Sequence, residues 1–111
     1  MPFNVKGVLA FDRSFADAVN FLDRADDSGR ATRRFLSEFK TVKGYVSTFP
    51  FLYAIREDES RAFGDAVRAV RIGNFLAYYA VDEKAEEVVF YYLRHVLSDP
   101  EATDWSSVAG E

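Results

Sequence analysis

From residue 15 onward the apolar positions of this chain recur at helical spacing. Phe15, Ala18, Val19 and Leu22 fall at i, i+3, i+4 and i+7, the stripe of one buried helical face. Ser14, just before them, is the predicted N-cap, and Asp26-Asp27-Ser28-Gly29 ends the helix. Asp27 or Ser28 can cap a second helix, in which Ala31, Phe35, Phe39, Val42 and Val46 line one side. Arg30, Arg33, Arg34 and Lys40 fall on the opposite side. About four residues join the two helices, which predicts an antiparallel hairpin.

The rest of the chain changes period. Residues 3–11 carry Val5, Val8 and Leu9 with no helical repeat and predict an opening strand. Phe49-Pro50 closes the hairpin, because proline pushes its predecessor out of the helical region. Residues 51–55 read as a helical turn or irregular connector, and 57–64 as a charged loop. Residues 66–72 mix Ala and Val with Arg and predict a strand, and Gly73-Asn74 a turn. Residues 75–81 and 88–93 are rich in β-branched and aromatic side chains and apolar on both faces, so central strands covered on both sides are expected. Residues 1–99 are expected to form one domain and 100–111 a polar, frayed tail. Helices followed by strands imply an α+β fold: an N-terminal strand and an antiparallel helix hairpin packed on a small antiparallel sheet, in the order β-α-α-β-β-β.

Composition narrows the function classes. A chain of 111 residues that is 49% apolar and 16% aromatic has material for a real core and is not a disordered segment. It has no cysteine, which excludes disulfides, thiolate metal sites and cysteine catalysis. A single histidine makes no metal site, and no cofactor is expected. No apolar run approaches ~18 residues and no signal-like start is present, so a cytoplasmic protein without membrane contact is expected. The net charge of −4 counts mildly against nucleic acid as the main partner, since phosphate binding usually needs a basic excess. The acids cluster at Asp23, Asp26 and Asp27, at residues 57–59 and at 82–87, in predicted turns and loops.

Several segments then resemble a known family in order. FADAVNFLDRADDSGRATRRFLSEF (15–39) with its Phe49-Pro50 step is followed by Arg56-Glu57-Asp58-Glu59, Gly64 and Val67-Arg68. IGNFLAYYAVDE (72–83) and VVFYYLRHVLSD (88–99) complete the set. Together, over roughly residues 5–99, they resemble the RelE/ParE superfamily, toxins of bacterial type II toxin–antitoxin pairs. One departure falls at the end of that span. Where the family shows His/Tyr-Gly-x-Arg-Asp, this chain has His95-Val96-Leu97-Ser98-Asp99, without the glycine or the arginine. A guanidinium there would bind phosphate or an acidic surface, and a serine does not replace it.

The resemblance implies a cognate antitoxin as partner and growth inhibition by the free protein. Three classes follow. A ribosome-dependent endoribonuclease acting on mRNA would use Arg68 and Arg71 on the phosphate and His95 near the proton transfer. A non-enzymatic inhibitor would bind DNA gyrase, and a degenerate member would only bind its antitoxin. Arg30, Arg33, Arg34 and Lys40 are candidates for contact with nucleic acid or an acidic surface, and Tyr91 for base stacking. Each also has a bland reading: solvated helix face, sheet-lining arginine, core tyrosine, strand-end histidine. Arg94 alternates away from His95 and is expected not to share its site. The phenylalanines are read as core except Phe21, which falls off the buried stripe and is a candidate for partner-facing apolar surface.

Overall fold

The computed structural model describes residues 2–98, so the expected 100–111 tail lies outside the described residues. The element order is β1 (Asn4–Gly7), α1 (Leu9–Ala25), α2 (Arg30–Thr48), α3 (Glu57–Phe63), β2 (Arg68–Ile72), β3 (Phe75–Asp82) and β4 (Glu87–His95). The fold is α+β, with the strands in one sheet of order β1-β4-β3-β2. β2, β3 and β4 form the expected antiparallel meander, but β1 runs parallel to β4, pairing Asn4 with Glu87 through Gly7 with Phe90. The sheet is therefore mixed, not wholly antiparallel. Three helices stand between β1 and the meander, so no hairpin turn fixes the direction of β1.

The opening strand is shorter than expected. β1 stops at Gly7 and helix begins at Leu9, so Ser14 lies inside α1 and does not cap it. Phe11, Ser14 and Ala18 are the buried residues of α1, which extends the helical stripe back past the serine. Gly7 is needed at the junction, because a Cβ there would meet the Phe11 ring at 2.8 Å. Ser14 Oγ donates to the Phe11 carbonyl at 2.9 Å and accepts from the Leu93 N–H at 3.0 Å, tying α1 to β4.

The helix hairpin forms as expected, with its start signal displaced. Neither Asp27 nor Ser28 caps α2. Gly29 occupies the position, at φ +76°, where a side chain would be strained. The Asp26 carboxylate accepts from Ser28 N, Ser28 Oγ and Ala31 N. These hydrogen bonds, the Ser28 hydroxyl first, lower the Asp26 pKa. Phe11 packs on Phe39 and Phe15 on Phe35, at 5.8 and 5.3 Å between ring centroids. One number rises as the other falls, which is the antiparallel register.

Residues 57–63 are helical, correcting the expected loop. Glu57, Asp58 and Glu59 sit in the first turn of α3 and Arg61 in the last, charges that complement the helix dipole. This helix reaches the second sheet face through Phe63, which meets Tyr91 at 4.4 Å beside buried Val67 and Tyr78. The first face packs on α1 and α2 through Phe75, Ala77, Tyr79, Val88, Phe90 and Leu93.

Two outcomes test these contacts. Ser14→Ala leaves the Leu93 N–H unpaired and is expected to lower stability by about 1–3 kcal/mol in chemical denaturation. Tyr79 is fully buried, its hydroxyl 3.3 Å from the Pro50 carbonyl, and burial pushes its pKa from 10.0 to about 12. The stability it contributes as a neutral phenol is fully present below pH 10 and is lost as pH rises toward 12. The loss is about 1.4 kcal/mol per pH unit. Tyr79→Phe is expected to flatten the decline of stability across that window.

Candidate functional site

β1 pairs with β4 only as far as Phe90, so residues 91–95 of β4 lack a neighbouring strand on that edge. α1 crosses there and meets the strand at Ser14 and Leu93. Beyond that contact a cleft of about 530 Å³ opens between α1 and the end of β4, lined by Asp17, Phe21, Phe75, Arg94, His95 and Ser98 among others.

His95 sits on the helix side of the sheet. Its ring lies edge-on to Phe75 at 5.1 Å and to Phe21 at 5.8 Å. Nδ1 accepts from the Leu97 N–H at 3.1 Å, so the neutral ring carries its proton on Nε2. Phe21 is 49% exposed, as expected for a residue off the buried stripe.

The two candidate arginines of β2 are not brought to this histidine as a set. Arg68 pairs in register with Tyr79 and thence with Phe90, whereas His95 aligns with Phe75 and Ile72. Four residues along the strand and two strands across put Arg68 and His95 on the order of 15 Å apart. Arg68 is also engaged: Nη1 donates to the Phe51 and Tyr53 carbonyls, and the guanidinium lies 5.2 Å from the Phe51 ring. Arg71 shares a register row with Leu76 and Arg94, next to the His95 row. Its exposed side chain folds back on its own turn, Nε to the Gly73 carbonyl at 2.8 Å and Nη2 to Asn74 Oδ1 at 3.2 Å.

Arg94 does alternate to the face opposite His95, yet both line the cleft, contrary to the expectation that they stay apart. Alternation separates side chains across a sheet's interior. At an unpaired edge the two faces meet, so one cleft takes lining residues from both. Arg94 is 7% exposed and Nε donates to the Tyr78 hydroxyl at 3.1 Å. Tyr78 is fully buried, and that burial raises its pKa despite the nearby guanidinium.

Tyr91 is the residue skipped where the β3–β4 register shifts, Tyr78 facing Tyr92 and Tyr79 facing Phe90. It packs against Phe63, with 4.4 Å between ring centroids. Arg30, Arg33, Arg34 and Lys40 are all exposed on α2, with Arg33 reaching the Ser28 carbonyl. The expectation that all phenylalanines but Phe21 are core needs correction. Phe49 is 58% and Phe51 49% exposed, next to Leu52 at 59%. The signal was present in Pro50, whose break in the helix leaves this segment without a regular face to bury.

No protein-family model matches this chain, and no curated protein matches it. Among the described residues no group of three His, Cys, Asp or Glu is placed to hold a metal ion, and no helix is long and apolar enough to cross a membrane.

The geometry gives Arg68 a structural task. Arg68→Ala is expected to free the 51–53 connector and lower stability by about 1–2 kcal/mol in chemical denaturation. Lysine is expected to recover little of it, having no fork to span two carbonyls. An unchanged midpoint for Arg68→Ala would show that these carbonyl contacts contribute nothing.

Proposed function

We propose that this chain is a RelE/ParE-like toxin of a type II toxin–antitoxin pair, inhibiting growth when free and acting by binding a protein target. The observation that carries this reading is placement. Residues 15–39 of the resemblance fall on the helix hairpin (α1, α2) and residues 68–95 on the β2-β3-β4 meander, with Arg56-Glu57-Asp58-Glu59 at the start of the additional helix α3 between them. The exposed Phe49, Phe51 and Leu52, together with Phe21, offer apolar surface suited to an antitoxin or another protein.

Binding is favoured over RNA cleavage by two features. A phosphate-holding arginine and a proton-transferring histidine must converge on one phosphodiester, within hydrogen-bond reach of it. Arg68 and His95 lie on the order of 15 Å apart by strand register, with Arg68 committed to backbone carbonyls. The chain is also acidic, at −4, which weakens the non-specific attraction an RNA-binding toxin relies on.

Induced expression of the chain alone in a bacterial host tests this, with growth, protein synthesis and the DNA-damage response followed in time. The expected result is growth arrest that His95→Ala leaves intact, with translation continuing at first. Early DNA damage would identify gyrase as the target. A rapid fall in translation abolished by His95→Ala would replace binding by ribosome-dependent mRNA cleavage. Absence of arrest at every expression level would overturn the toxin reading and leave antitoxin binding to be tested directly.

A further inference from the structure

Arg94 is a buried cation that forms no ion pair among the described residues. Its three hydrogen-bond acceptors are the Tyr78 hydroxyl, the Ser98 carbonyl at 2.9 Å and the His95 carbonyl at 3.3 Å, all neutral. Nη2 makes none of these bonds, and none of the ion pairs among the described residues involves Arg94. Buried charges are ordinarily paired, because desolvating a lone ion is costly. This one lines a cleft of about 530 Å³, within the size range of small-molecule sites.

The same cleft supplies other groups that select a ligand. His95 presents Nε2–H, since Nδ1 is taken by the Leu97 amide. Phe21, Phe75 and Leu93 furnish apolar walls around it. Asp17 stands at the rim, exposed on α1, where its charge opposes a ligand carrying two negative charges.

We propose that the cleft between α1 and the end of β4 binds a small monoanionic carboxylate with an aromatic or branched apolar body. The carboxylate meets the Arg94 guanidinium as a charge-assisted hydrogen bond, His95 donates to it or to a neighbouring oxygen, and the apolar body lies between Phe21 and Phe75. The cleft shares Phe21 with the apolar surface named above, but the titration below tests it whether or not the toxin reading holds.

The test is an NMR titration of the full chain with benzoate, following the Arg94 Nε–H, His95 Nε2 and Leu97 amide resonances. Benzyl alcohol and phenyl phosphate serve as comparison probes. Benzoate is expected to give saturable shifts at all three groups. Benzyl alcohol, lacking the charge, is expected to bind roughly tenfold or more weakly, the loss of one charge-assisted contact. Phenyl phosphate is expected to bind more weakly than benzoate, and Asp17→Asn to remove that difference. Phe21→Asp, at a half-exposed position that the fold tolerates, is expected to abolish benzoate binding in a folded protein. The proposal is overturned if benzoate gives no saturable shift, if benzyl alcohol binds equally well, or if folded Phe21→Asp and Arg94→Gln proteins bind benzoate unchanged.

Discussion

The fold depends on how the two edges of β4 are satisfied. β3 covers one edge along the whole strand, from Glu87 to His95. On the other edge β1 supplies only four partners, ending at Phe90. Backbone groups past that point still need hydrogen bonds, since an unpaired buried amide is costly. α1 meets the need by starting two residues after β1 ends and laying Ser14 against the Leu93 amide. A serine in mid-helix is locally a neutral choice at best. Here its side chain replaces a strand. Once α1 is fixed along β4, the Asp26-centred turn sets α2 beside it, and the cleft is what remains where helix and strand diverge.

Packing then follows from aromatic rings whose polar tips must be accounted for. Phe11, Phe15, Phe39 and Phe90 lie within 4.9 to 5.8 Å of one another in successive pairs, carrying much of the apolar burial between hairpin and sheet. Tyr78 and Tyr79 are adjacent on β3 and point to opposite faces. Each is fully buried and each hydroxyl has a partner, Arg94 for one and the Pro50 carbonyl for the other. The tyrosines thus do more than fill space. One holds the post-helix connector against the sheet, and the other draws a guanidinium into the protein beside the cleft.

Much of this was legible from spacing, and the misses share a cause. The helix stripes and the β3–β4 pair were readable because each runs long enough for a period to emerge. α3 was not, because seven residues with three consecutive acids look like a loop until its Phe63 is placed on Tyr91. Ser14 looked like a cap because the usual cap residue type stood before an apolar stripe. The stripe in fact reaches back to Phe11, and a bond to Leu93, 79 positions away, has no local trace. The direction of β1 was hidden for a similar reason, since pairing across the length of the chain is set by the sheet and not by neighbours. At the site, His95 and Phe21 could be singled out as residues, but their contact could not be seen; Arg94 does alternate away from His95, and only the open edge of β4 lets one cleft draw lining from both.

Arginines on strands carry the ambiguity that matters most for function here. Arg68, Arg71 and Arg94 all donate to backbone carbonyls: of Phe51 and Tyr53, of Gly73, and of His95 and Ser98. Most of these carbonyls lie in turns and connectors, and His95 ends its strand, so a planar group with five donors can gather them. A pattern of arginines along a sheet that resembles a phosphate grip is therefore also what carbonyl gathering produces, and sequence does not separate the two. Burial does. Arg71 is exposed and Arg68 partly so, and solvent screens what their carbonyl partners leave unbalanced. Arg94 has 7% of its surface exposed and the same kind of neutral partners, and it forms no ion pair among the described residues, so solvent does little to screen its charge.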